Sequence, residues 1–419
     1  MSSETASLLS RLAAESGFTT IVQSCRDTKV LCLQRFVRLF AYGASFLILV
    51  HFLSSLGFSD ERIGLFMTLT LLGDVVISFL LTAVTDQIGR RKILAAGAAL
   101  MVMSGLVFAF VGNYWFLVIA SIFGVISPSG NEIGPFRAVE ESILAQLTER
   151  ENRSDIFAWY TLFGTAGAAL GTLTCGWVVQ TLENNESWTQ NEAYRVVFLL
   201  YAALGILKLI LIFGLTSGVE VTVSNPVVRV NDERMASPSW LTYFFTTVHS
   251  LQPGSLGTLF LVTNLLGTVS NLVALPLARR LGPLKTMVFT HLPSAVFLSM
   301  IPLPAPGRTG TWTAMAFLSL RACTQSMDQA PRQAFLAAAV LPSERTAVLG
   351  VVNTVKTLAQ AGGIGSAGFL SGKSLWVVVL SGAGIMKACY DLLMLAMFLG
   401  LKDRETSSAK SRSRDEEES

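Results

Sequence analysis

Residues 83–92 read Ala83-Val84-Thr85-Asp86-Gln87-Ile88-Gly89-Arg90-Arg91-Lys92. This polar stretch separates two apolar runs, at about 61–84 and about 93–112, and its reading decides the fold. Gly89 permits a tight turn. Asp86 can accept backbone N–H groups at a helix N-terminus, and three consecutive cations hold the turn on one side of a membrane. Each flanking run is about 20 residues long, enough to cross a bilayer as a helix. The rest of the chain agrees with a membrane hairpin here. Of 419 residues 52% are hydrophobic and 14% charged, and the mean hydropathy is +0.56, whereas a soluble domain carries about 25% charged residues. An ordinary soluble enzyme and a large extramembrane domain are excluded, while twelve spans of about 20 residues fit with short loops to spare.

Outward from this turn, further apolar runs are expected at about 33–56, 114–138, 155–180 and 194–217, then at about 255–278, 286–303, 311–339, 346–371 and 374–401. Between these sets lies Trp240–Val248, apolar but only about a dozen residues long against the roughly 17 that a span needs. The organisation expected is a cytosolic N-terminal segment (1–32), an N-terminal six-helix bundle (33–217), a cytosolic linker (218–238), a C-terminal helix bundle (239–401) whose first helix, the seventh, is short, and a disordered cytosolic tail (402–419). With both termini cytosolic, nearly all loop cations fall inside, and only Arg62, Arg195, Arg308 and Lys373 fall outside. The outer loops then carry one glycosylation sequon, Asn185-Glu186-Ser187, which makes the chain a glycoprotein, while Asn152-Arg153-Ser154 lies inside and stays silent. Five scattered cysteines without a CxxC pair and three dispersed histidines predict no metal, cofactor or disulfide framework.

The two halves repeat. Asn131-Glu132-Ile133-Gly134-Pro135-Phe136-Arg137 has its counterpart in Met327-Asp328-Gln329-Ala330-Pro331-Arg332, an acid three before a proline with an arginine soon after. Repeats of six spans belong to one transporter architecture. The 83–92 turn resembles the signature of the major facilitator superfamily between its second and third helices: Asp86, Gly89, Arg90 and Arg91 match, while Thr82 and Gln87 replace the usual glycine and basic residue. Pro276–Gly282 keeps the glycine in the second half and loses the acid. The second half also resembles a branch seen in bacteria and fungi whose substrates are mostly undefined. The resemblance covers nearly the whole chain. It implies an all-α polytopic membrane protein of two six-helix bundles related by a pseudo-two-fold axis, working as a secondary transporter by alternating access. By the residues themselves, Arg90 and Arg91 can bridge to Glu140 and Glu141 as a cytosolic gate that includes Asp86 and Gly89. The alternative is that these cations only set topology.

Charges inside spans are costly and face a cavity or a partner. Arg321 sits about 15 Å into its span and is the foremost candidate for a substrate-facing cation, with Asn131, Glu132 and Asp328 as further cavity residues. Asp328 with Arg332, Arg137 with Glu141, and Lys387 with Asp391 are each four apart and form candidate ion pairs. Asp74, about 20 Å from the outer end of its span, is either a proton carrier, as Glu132 could be, or the partner of a cation such as Lys356. The function expected is proton-coupled transport of a small organic solute, either efflux of a secondary metabolite or uptake of a nutrient, by a monomer in the plasma or vacuolar membrane. The partners expected are substrate, protons and the lipid bilayer, with no nucleic acid. The alternative is a non-transporting binding or sensor protein, or an inactive truncated product, on the same fold. A membrane enzyme is not expected, since no His-rich metal box, Ser-His pair or cysteine nucleophile context is present.

Overall fold

The computed structural model describes residues 18–124, 126, 135–149, 152–185, 187–220, 238–281, 283–325, 327 and 345–417. Among them the chain is helical, with a single 3-10 turn at Ser217–Val219. In order, the helices are α1 (Phe18–Gln23), α2 (Arg26–Ser55), α3 (Asp60–Ile88), α4 (Arg90–Phe110), α5 (Tyr114–Gly124), α6 (Pro135–Leu147) and α7 (Arg153–Glu183). They continue with α8 (Gln190–Phe213), α9 (Pro238–His249), α10 (Pro253–Leu281), α11 (Pro283–Met300), α12 (Arg308–Gln325), α13 (Arg345–Ser371) and α14 (Trp376–Glu417). Among the described residues five helices are long and apolar enough to cross a membrane: Arg26–Ser55, Arg90–Phe110, Asp155–Glu183, Gln190–Phe213 and Trp376–Met397.

Local chemistry accounts for where helices start. Proline opens α10, where the preceding Leu251 and Gln252 are not helical, the position at which its missing N–H costs no helical bond. At α8 a capping box does the same work: Thr189 Oγ1 accepts the Glu192 N–H at 3.4 Å, and Glu192 Oε2 accepts the Thr189 N–H at 2.9 Å. Two expectations need correcting. The fourth run, expected as one helix over about 114–138, is interrupted: α5 ends at Gly124 and Ile126 is not helical. The tail expected to be disordered from 402 continues α14 to Glu417.

The helices gather into two units, Met1–Asn264 with Thr346–Ser374, and Leu265–Arg345 with Leu375–Ser419. In the first unit successive helices alternate between a basal end, holding Arg26, Gly89, Arg153 and Glu220, and a far end, holding Ser55, Asp60 and Glu183. Its tightest contact is α2 against α7. A Cβ on Gly167 would stand 2.5 Å from the Phe36 carbonyl oxygen, and one on Gly171 would overlap that of Phe40. Such spacing lets two backbones touch, the means by which helices hold together in lipid. The same device joins α3 to α13, where a Cβ on Gly64 would lie 2.9 Å from Gly368 Cα. It also joins α7 to α10, where one on Gly176 would lie 3.1 Å from Gly257 Cα. Both contacts lie toward the far end. In the second unit α14 packs on α11, with Ser381 Oγ donating to the Ser299 carbonyl at 2.7 Å, and Phe297 of α11 stacks on Phe317 of α12 at 6.5 Å.

The short α9 also belongs to the far end. His51 Nε2 and Thr246 Oγ1 are 2.9 Å apart, Tyr243 Oη donates to Asp60 Oδ1 at 3.0 Å, and the Gly254 N–H donates to Gln180 Oε1 at 2.9 Å. Glu220 lies basal and Gly254 far, so the chain passes from one end to the other between them. The α2–α7 contact predicts that Gly171→Ala lowers stability by about 1–3 kcal/mol through forced separation of the backbones. Gly382→Ala, with nothing within 4 Å of the added methyl group, leaves it unchanged. Thermal unfolding of the purified protein in detergent checks the pair.

Candidate functional site

At the basal end the Gly89 turn is built as its sequence demands. Gly89 has φ +101°, which a glycine alone adopts without strain, and it directly precedes α4. The carboxylate that caps α4 comes from Glu220, just past the 3-10 turn: Oε2 accepts the Arg90 N–H at 2.9 Å and Oε1 the Arg91 N–H at 3.3 Å. The Arg90 guanidinium donates to Gln146 Oε1 at 2.8 Å and that of Arg91 to the Phe213 carbonyl at 2.8 Å. Gln146 Nε2 then bonds the carbonyls of Gly218 and Glu220 at 3.0 and 2.8 Å. Glu140 and Glu141, the acids expected to meet Arg90 and Arg91, have other partners. Sequence reasoning missed Glu220. The usable signal was an isolated acid directly after the sixth span, on the same side as the turn.

Glu140 instead sits deep inside the bundle, with no exposed surface. Its Oε2 accepts Arg38 Nη2 at 2.5 Å and Tyr160 Oη at 2.6 Å, and its Oε1 lies 3.5 Å from Lys208 Nζ. The Arg35 guanidinium stacks over the Tyr160 ring at 4.1 Å, a cation–π contact. One carboxylate on α6 thus ties together α2, α7 and α8. Asp74 on α3 is also buried, as is Tyr201 of α8, whose hydroxyl donates to the Gly124 carbonyl at 3.0 Å. Around the cluster runs apolar packing that includes Leu31, Leu94, Ile143 and Ile156, so the charges sit where water does not screen them.

The other expected residues fall as follows. Arg137 Nε meets Glu141 Oε1 at 2.7 Å, one helical turn away. Lys387 and Asp391 are both buried on α14; Asp391 takes the hydrogen bond of His291 Nδ1 at 2.6 Å, and Lys387 Nζ donates to Ser294 Oγ at 3.4 Å. Both partners lie on α11, which sequence spacing along one helix cannot reveal. Arg321 is buried on α12. Asn185 is exposed at the far end between α7 and α8. Asn131, Glu132, Asp328 and Arg332 lie outside the described residues, as do the side chains of Asp86 and Lys356. Among the described residues no group of three His, Cys, Asp or Glu could hold a metal ion.

Glu140→Gln leaves two buried cations facing a neutral amide, and it is predicted to destabilise the fold by about 3–5 kcal/mol. Tyr160→Phe, which removes one hydrogen bond and no charge, costs about 1 kcal/mol. Thermal unfolding in detergent separates the two.

A model of the Major Facilitator Superfamily matches residues 31–227 and again 227–419. An uncharacterized membrane protein of Saccharomyces cerevisiae is 33% identical over 430 residues, covering 90% of this chain and 95% of its own. Among solved structures, the chain is similar to a bacterial homologue of the iron transporter ferroportin in an inward-facing state. The TM-score is 0.68 at 14% identity, over 88% of this chain and 98% of that one. It is also similar to a D-xylose–proton symporter, with a TM-score of 0.64 at 15% identity, over 88% of this chain and 96% of that one. At such identities the likeness speaks for the fold, that of two helical bundles.

Proposed function

Because the chain belongs to the Major Facilitator Superfamily and is an integral multi-pass membrane transporter rather than an enzyme, we propose that it moves a small organic solute by alternating access, coupled to protons. The observation that carries the coupling is Asp74, an acid buried in α3. Ionisable groups inside membrane helices mark substrate and ion pathways. A buried carboxylate can take up and release a proton, because burial disfavours its charged form. Glu132, outside the described residues, is the second carrier this reading allows. Arg321, buried in α12, is the cation we assign to the solute; Asn131, Glu132 and Asp328, outside the described residues, are the further binding residues of this reading.

In this reading the basal end is cytosolic, as the loop cations indicate, and the far end faces the outside or the vacuole. The contacts of Gly64 with Gly368 and of Gly176 with Gly257 then close the outer side, and the Gly89 turn with Glu220 braces the cytosolic side. Rocking about such contacts is how this architecture alternates access. Export of a secondary metabolite by a monomer is the form we favour. The alternative of a non-transporting or inactive product started from the short seventh segment, and α9 reaching the far-end residues His51 and Asp60 favours transport.

The full chain in liposomes is expected to move solute in response to a pH gradient, and Arg321→Ala to abolish that movement. Full transport by the variant would remove Arg321 from the route. For orientation, Asn185 is expected to carry an N-glycan that endoglycosidase releases and Asn185→Gln prevents. An unmodified Asn185, together with a glycan at Asn152, would reverse the assignment of sides.

A further inference from the structure

Helix α1 is six residues long, too short to hold itself in water, and three contacts pin it along the basal ends of α2 and α7. Thr20 Oγ1 donates to Asp155 Oδ2 at 2.9 Å, Lys29 Nζ donates to the Val22 carbonyl at 2.5 Å, and the rings of Phe18 and Trp159 lie 5.6 Å apart. Ile21 is buried by this docking. Phe18 and Val22, one turn apart, are turned outward, 47% and 52% exposed. Trp159 stands about 9 Å along α7 from its first residue, so α1 lies against the flank of a membrane span. Outward apolar side chains held at that level are costly in water and favourable at a lipid interface.

The charges of this corner face the same way. Arg26 and Lys29, in the first turn of α2 and three apart, are both exposed and share one side of the helix. Leu33 continues that side one turn deeper and is 46% exposed. The neighbouring acids are engaged within the fold: Asp27 is buried and accepts the Thr216 N–H at 3.2 Å, and Asp155 accepts from Thr20. Glu149, between α6 and α7, is an exposed acid at the same end. Set against the two cations, it leaves the corner positive among the described residues.

We propose that the corner formed by α1 and the first turns of α2 and α7 binds an anionic phospholipid of the adjoining leaflet. Its phosphate sits between Arg26 and Lys29, and its acyl chains run along Val22, Leu33 and the Phe18–Trp159 pair. Setting topology would need the cations alone. It would not need a six-residue helix folded back and bonded so that Phe18 and Val22 meet the acyl region. A bound lipid bridges α1 and α2 from outside, and so steadies the α2–α7 pair that Thr20 and Asp155 tie together. Which leaflet supplies the lipid rests on the reading of the basal end as cytosolic, since the cytosolic leaflet carries the anionic lipids; the binding itself does not rest on it.

The test follows thermal unfolding of the full chain in detergent while phosphatidylserine is titrated in, with phosphatidylcholine and inorganic phosphate as separate arms. Phosphatidylserine is expected to raise the unfolding temperature of the wild type, and the other two to leave it unchanged. Arg26→Gln, which keeps the Lys29 bond to α1, is expected to weaken the apparent lipid affinity about fivefold. The double variant Arg26→Gln with Lys29→Gln weakens it about thirtyfold, since each cation near an anionic surface contributes about that single factor. Phe18→Ser with Val22→Ser keeps the charges and weakens it about tenfold through lost apolar contact. An absent shift with phosphatidylserine, an equal one with phosphatidylcholine, or wild-type lipid affinity in the double variant overturns the proposal. An equal shift with inorganic phosphate overturns it too, since the corner then takes a free anion. Should the double variant not fold, Arg26→Gln decides alone, and unchanged affinity there overturns the proposal. The reading of sides fails separately: a glycan at Asn152 with an unmodified Asn185 moves the corner to the other leaflet and leaves the lipid titration as expected.

Discussion

Glu140 is the constraint on which the first unit depends. A carboxylate among apolar side chains cannot be left alone, because its desolvation is costly unless donors surround it. Three donors from three helices converge on this one. The requirement fixes several registers at once: α2 must present Arg38, α7 Tyr160 and α8 Lys208 at the same depth. The glycines then follow. Arg38 can be drawn inward only if α2 and α7 approach to backbone contact, and Gly167 and Gly171 provide that approach against Phe36 and Phe40. Apolar side chains would hold four helices together as well or better. What the ions add is a register that a slip of one turn would break.

Much of the fold was legible before any coordinates, and what was legible was local. The polar 83–92 turn, its left-handed glycine, the apolar runs and the Arg137–Glu141 spacing are short-range features of a helical chain, which sequence displays directly. Glu140 was legible only as an acid in the right region. The partner guessed for it, the Arg90–Arg91 pair, was the nearest cation set along the chain, whereas the observed partners lie 102, 20 and 68 positions away. The same limit explains Asp391. Read along α14 it faces Lys387, but across the helices it meets His291. Glu220 escaped notice because an acid in a linker resembles any solvated loop charge until the N-terminus of α4 is placed against it.

The short seventh segment shows how far length alone can mislead. An apolar stretch of about a dozen residues would rise only about 18 Å as a helix, too little for the hydrocarbon core, and by that measure the second half of the chain would enter the membrane inverted. Parity, however, depends on where a segment enters and leaves, not on how much of it is helical. Glu220 is held at the basal end by the N–H groups of Arg90 and Arg91, and Gly254 at the far end by Gln180. Because α9 spends its helix at the far end, its side chains are available there for Asp60 and His51. The pairing of Tyr243 with Asp60 and of Thr246 with His51 therefore fixes the end at which this segment finishes, whatever the length of its helix.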